Sequence, residues 1–138
     1  TGVPMSRLQR ERTQPSGFDA VWCGLHWSRE ELYRRIDERT RHMVEEGWID
    51  EVRRLLETMP ASRQVMESTL GYREIVSMLD GSLDPAELAE TIARRTRNYA
   101  KRQMTWFRAN KRITWISCER TSTAAELAHK IRDVYVGQ

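Results

Sequence analysis

Residues 93–112 read ARRTRNYAKRQMTWFRANKR, and the interpretation of the whole chain turns on them. The stretch holds eight basic residues (Arg94, Arg95, Arg97, Lys101, Arg102, Arg108, Lys111 and Arg112) and no acid. The rest of the chain carries 15 basic against 20 acidic side chains, so the formal net charge of +3 conceals a strongly polarised molecule. A local field of that size fits an anionic polymer or a phosphate-bearing ligand. The alternative is a solvated helix face combined with a codon bias toward arginine. That bias would explain 20 Arg against three Lys, but not the absence of acids from this window.

Upstream, Asp84-Pro85-Ala86-Glu87 supplies a cap, a proline at the first helical position and an acid in the first turn, which predicts a helix running to about Arg108. Its expected core stripe is Leu88, Ile92, Thr96, Tyr99, Gln103 and Trp106, widened by Ala89, Ala93, Ala100, Met104 and Phe107. On the opposite face lie Arg94, Arg97, Asn98, Lys101, Thr105 and Arg108, a basic and hydrogen-bonding surface suited to folded nucleic acid. The aromatic residues are expected in the core rather than as a stacking platform.

Farther out, 113–117 (ITWIS) predicts a strand, and Thr123 with Glu126 predicts a capped final helix carrying Leu127, Ile131 and Val134. Toward the amino end, a helix begins near 68 or 69 and runs to 79, ended by Asp80-Gly81. Residues 49–59 form another, with Ile49, Val52, Leu55, Leu56 and Met59 on one face and Pro60 as its stop. Ser28 and Glu31 form a capping box for a helix to about Glu46, with Gly47 closing it. Residues 18–27 (FDAVWCGLHW) read as a buried strand weakened by Gly24. The first 17 residues show neither cap nor period and read as a loop, or as the tail of something upstream. The expected class is therefore mainly α with two short strands. The expected organisation is a linker and edge strand (1–27), a helical pair (28–60), contacting helices (68–108), and a strand with a terminal helix (109–138). Two isolated strands are not stable in water. They either pair with each other under the helices or add to a sheet supplied elsewhere.

Other classes are excluded or unsupported. With 39% apolar and 31% charged residues, the balance is that of a soluble globular chain. No apolar run approaches the ~20 residues of a membrane span. Cys23 and Cys118 lie far apart, which fits neither a disulfide scaffold nor a zinc site and suits a reducing cytoplasm. His26, His42 and His129 form no ligand set. None of the seven glycines precedes a lysine, so no phosphate-cradling P-loop is present.

Two sites stand out besides the basic helix. In the helix from 28, the stripe Leu32, Ile36, Met43 is completed by Arg39, which places a guanidinium toward the core. It then needs an anion, either a structural carboxylate or a bound phosphate. Ser68-Thr69-Leu70-Gly71-Tyr72-Arg73 combines a glycine that permits close backbone approach with a ring and a fork.

Four segments together resemble one family. They are STLGYREI (68–75), the spacing through MLDG (78–81), RRTRNYAKRQMTWFR (94–108) followed by ITW (113–115), and RRIDERTRHMVEEGWIDEVRRLL (34–56). They resemble the carboxy-terminal part of the tRNA dimethylallyltransferases, also called tRNA isopentenyltransferases, of the bacterial type. The resemblance implies a magnesium-using, ATP-binding-type P-loop α/β transferase whose core is absent from this chain. It implies transfer of a dimethylallyl group from dimethylallyl diphosphate to N6 of the adenosine 3′ to the anticodon, in a cytoplasmic, monomeric enzyme. By matching position it gives Arg39 the role of holding the departing diphosphate. It gives tRNA contact to Ser68, Thr69, Leu70, Gly71, Tyr72, Arg73, Arg94, Arg97, Asn98, Lys101, Arg102, Gln103 and Thr105. It places no metal ligand in this chain and makes the two strands edge additions to the core's parallel sheet. The fragment alone would then be inactive. A free-standing helical RNA- or DNA-binding module is the alternative, and a purely structural helical domain is a third reading.

Overall fold

A computed structural model describes residues 20–137 of the 138-residue chain. Strand β1 (Trp22–Trp27) leads into α1 (Arg29–Glu45) and α2 (Trp48–Thr58). A single 3-10 turn at Pro60–Ser62 opens the short α3 (Arg63–Ser68), and α4 (Tyr72–Leu79) follows. A second 3-10 turn at Pro85–Glu87 opens the long α5 (Leu88–Ala109), followed by β2 (Ile113–Cys118) and α6 (Ala124–Val136).

The caps were readable because they depend only on neighbouring residues. Ser28 Oγ accepts from the Glu31 amide at 3.2 Å, but the expected box is one-sided, because the Glu31 carboxylate accepts from Arg34 and Arg35 instead of reaching back to Ser28. Thr123 and Glu126 form the reciprocal box, with Thr123 N–H donating to Glu126 Oε2 at 2.8 Å and Glu126 N–H donating to Thr123 Oγ1 at 3.2 Å. Asp84 accepts from Ala86 N at 2.8 Å, though it caps a 3-10 turn before the α-helix proper. Gly47 has φ +102 and joins α1 to α2.

Four expectations need correction. The amino-terminal strand is shorter than 18–27: it occupies Trp22–Trp27, and residues 18 and 19 lie outside the described residues. The helix expected from 68 or 69 to 79 begins only at Tyr72: Ser68 ends α3, Thr69 is extended, and Gly71 takes φ +89, which no α-helix accommodates. In α1 the buried position is Thr40 at 5% exposure, four residues after Ile36, and Arg39 beside it is exposed. In α5 the covered stripe runs Leu88, Ile92, Thr96, Ala100, Met104 and Phe107, leaving Tyr99 and Trp106 exposed at 47% and 70%. Helix α1 packs along α5.

The main core is Val52, Met66, Ile75, Val76, Leu88 and Ile92, drawn from α2 to α5. The two strands pair with each other in parallel, Trp22 opposite Ile113 and Trp27 opposite Cys118. Gly24 faces Trp115, and a Cβ there would lie 2.8 Å from both the Trp115 ring and Ile113. The glycine therefore makes room for the tryptophan across the ladder. Helix α6 packs on β2. Both cysteines are free thiols.

Candidate nucleic-acid interface

The turn between α3 and α4 and the outer side of α5 enclose a groove of about 680 Å³. Ser68, Thr69, Leu70, Arg73, Arg95, Asn98, Tyr99 and Arg102 line it. Among the described residues that line it are three guanidiniums and no carboxylate.

The groove is organised from beneath by Glu74, which is 2% exposed. Its Oε2 accepts from Gly71 N–H at 2.7 Å, closing the first turn of α4. Its Oε1 accepts from Arg95 Nη1 at 2.7 Å and from Arg73 Nε at 3.3 Å. Each arginine is engaged through one nitrogen, and a guanidinium has five N–H donors, so most of each fork remains available for an anion. Gly71 is fixed by two constraints. Its φ is positive, and a Cβ would come 2.1 Å from Cη2 of Trp48. Its close approach is thus to the α2 tryptophan.

Tyr99 and Arg102 form the far wall, with the Arg102 guanidinium 5.7 Å from the Tyr99 ring centroid. An exposed ring flanked by a guanidinium can stack an unpaired base while the fork meets a phosphate. The Ser68 and Thr69 hydroxyls donate to the Val65 carbonyl at 2.7 and 2.8 Å, so toward the groove they present oxygen acceptors.

Six of the expected contacts therefore share one groove: Ser68, Thr69, Leu70, Arg73, Asn98 and Arg102. Gly71 is buried behind it. Tyr72 turns away: its ring meets Trp48 edge-on at 5.6 Å and its hydroxyl donates to Glu51 Oε1 at 2.7 Å. That bond, reinforced by burial, raises the Tyr72 pKa above the usual phenol value. Arg97 is half-buried and bridges Asp37 on α1 to Glu90 on α5, the latter at 2.7 Å; these bonds, Glu90 first, raise its pKa despite the burial. Arg94 and Gln103 are exposed outside the groove. Lys101 and Thr105 line a separate cleft of about 310 Å³ against β1 and α1, floored by Leu25, Trp27, Leu32, Tyr33 and Met104.

Arg39 has no ion pair among the described residues, and its side chain is exposed on α1. One turn earlier, Arg35 lies over the Trp27 ring at 3.7 Å and donates to Glu31 at 3.0 Å. Glu31 also accepts from Arg34 at 2.6 Å. These bonds, Arg34 first, hold the Glu31 carboxyl down at about 2. Arg95 and Tyr99 line the groove and Glu74 lies beneath it, although none of the three is among the expected contacts. For Glu74 the available signal was its position three residues after Gly71, where an acid closes a helix start. Among the described residues, no three His, Cys, Asp or Glu side chains gather as metal ligands. No helix among them is long and apolar enough to cross a membrane.

A sequence-family profile described as IPP transferase matches residues 1–110. The tRNA dimethylallyltransferase of Symbiobacterium thermophilum is 42% identical over 137 residues, covering 96% of this chain and 43% of that protein. The Pelotomaculum thermopropionicum enzyme of the same name is 40% identical, covering 95% and 42%. Among solved structures, the full-length tRNA isopentenylpyrophosphate transferase of Bacillus halodurans superposes with a TM-score of 0.78 at 33% identity, covering 96% of this chain and 43% of that one. Its Staphylococcus epidermidis counterpart gives 0.79 at 28% identity, covering all of this chain and 45% of that one. The chain thus spans less than half the length of the relatives it matches. The mainly helical architecture with a two-stranded parallel sheet matches these transferase structures. The chain belongs to the IPP transferase family.

Proposed function

We propose that this chain is the tRNA-gripping, carboxy-terminal portion of a tRNA dimethylallyltransferase. The reaction moves a dimethylallyl group from dimethylallyl diphosphate to N6 of the adenosine 3′-adjacent to the anticodon. The observation that carries this reading is the groove between the α3–α4 turn and α5, in a chain of this family. Three guanidiniums meet there beside an exposed tyrosine, and no acid lines the groove among the described residues. Such a surface neutralises phosphates and stacks a base, which is what an anticodon loop with splayed nucleotides requires. Holding the loop in a distorted shape helps offset the cost of unstacking the target base.

The P-loop α/β core that the family resemblance implies would lie in the remaining length of the relatives. The parallel pair β1–β2 supports an attachment to it. Each strand keeps its outer edge unpaired among the described residues, and Trp22 and Leu25 are 45% and 44% exposed. Parallel strands are normally covered on both faces. We assign the magnesium that the resemblance implies to that same remaining length.

Arg39 is exposed and free of ion pairs among the described residues, which supports an anion contact made outside them. A guanidinium placed at a leaving diphosphate stabilises the charge that gathers on it. In the full-length transferase, Arg39→Ala should lower kcat by about 100-fold, the scale of one lost electrostatic donor, and leave the Kd for tRNA within about twofold. Near-normal turnover in that variant would remove Arg39 from the chemistry.

A further inference from the structure

We infer that Glu74 is a positioning residue for RNA: it presents Arg73 and Arg95 as one paired clamp for a single phosphodiester of the anticodon stem-loop. The inference rests on the groove reading above. Glu74 is the one acid in its first helical turn and is nearly fully buried, yet it faces two cations from different helices. Its Oε1 receives both Arg95 Nη1 and Arg73 Nε, while Oε2 receives the Gly71 amide. One carboxylate oxygen therefore sets the separation of two guanidiniums that arrive from α4 and α5. Both side chains remain about half exposed, at 50% for Arg73 and 44% for Arg95. Arg73 and Arg95 line the groove on one side and, together with Glu74, a second hollow with Ser77, Ser82 and Thr91 on the other. A phosphate bound by both forks would meet them already oriented, without the loss of rotamer freedom that two unrestrained arginines incur.

For Glu74, the clamp and simple electrostatics predict opposite signs. Neutralising Glu74 adds one unit of positive charge beneath an anion site, which by itself tightens RNA binding. Loss of the clamp weakens it. The test uses the full-length transferase and a synthetic anticodon stem-loop, with Kd measured over a range of salt. Glu74→Gln keeps an acceptor for the Gly71 amide and should weaken binding about fivefold, with a shallower salt slope. In an Arg73→Gln/Arg95→Gln background, adding Glu74→Gln should change nothing further. Tighter or unchanged binding by Glu74→Gln, with the double arginine variant still weak, overturns the inference and leaves the groove reading standing. Wild-type affinity in the double arginine variant overturns both. If Glu74→Gln does not fold, Arg73→Lys/Arg95→Lys replaces it. That variant keeps the charge without the fork, so weaker binding supports the clamp and wild-type binding contradicts it.

Discussion

Gly71→Ala tests the link between the turn and the core beneath the groove. Two costs arise at this position. The backbone sits at φ +89 and ψ −53, outside the regions an L-residue occupies comfortably, and enforcing it costs about 1–3 kcal/mol. The new Cβ would also lie 2.1 Å from Cη2 and 2.5 Å from Cζ2 of Trp48. Trp48 packs against the core cluster and edge-on to Tyr72, so relieving the clash moves a packed ring, at about 1–3 kcal/mol. Together these give a loss of about 3 kcal/mol, and for a chain of this length a melting temperature lowered by about 10 °C. Thermal unfolding followed by circular dichroism measures it. A Trp48→Ala background separates the two costs, since there Gly71→Ala should cost only the backbone part of the loss. A melting temperature within 2 °C of wild type in the single variant would refute the reasoning. Full additivity in the double variant would refute the Trp48 contact.

Two further predictions concern α1. The Glu31 carboxyl is held at about 2, chiefly by its hydrogen bonds to Arg34 and then to Arg35, against an ordinary value of 4.5. A depressed folded-state pKa contributes stability that is complete above about 4.5 and is lost as pH falls toward 2. The stability advantage of wild type over Glu31→Gln should therefore shrink across that window in acid unfolding, and a constant difference would contradict the assignment. Arg97 joins Asp37 on α1 to Glu90 on α5, so Arg97→Gln should cost about 1–2 kcal/mol, read as a lower melting temperature. An unchanged melting temperature would show that the bridge contributes nothing.

What the sequence disclosed and what it withheld follow a physical division. Ser28 with Glu31, Asp84 with Pro85, and Thr123 with Glu126 depend on residues within one turn, and each marked a helix start. The covered stripes of α1 and α5 depend on a partner helix. Large side chains look like the natural core of α5, yet Tyr99 and Trp106 are exposed, while Thr96 and Ala100 are partly covered. In α1, spacing from Ile36 and Met43 points to Arg39 on the stripe, whereas the buried residue is its neighbour Thr40. Glu74 escaped notice for a different reason. An acid in a helix normally faces water, and only the fold brings Arg95 to it from 21 residues away. The short α3 carries too few residues to show a period. The basic window itself was legible, but its eight charges do not act as one surface. Arg97 is engaged between helices, Lys101 faces another cleft, and the groove takes Arg95 and Arg102 from α5 together with Arg73 from α4.

The most direct test of the central claim is the salt dependence of anticodon stem-loop binding, wild type against Arg73→Gln/Arg95→Gln/Arg102→Gln. If the groove grips the RNA backbone, affinity falls linearly with the logarithm of salt, and the triple variant loses about two to three units of that slope, near one for each phosphate contact removed. Binding of equal strength and equal slope in the triple variant would place the RNA elsewhere on the molecule and contradict the account.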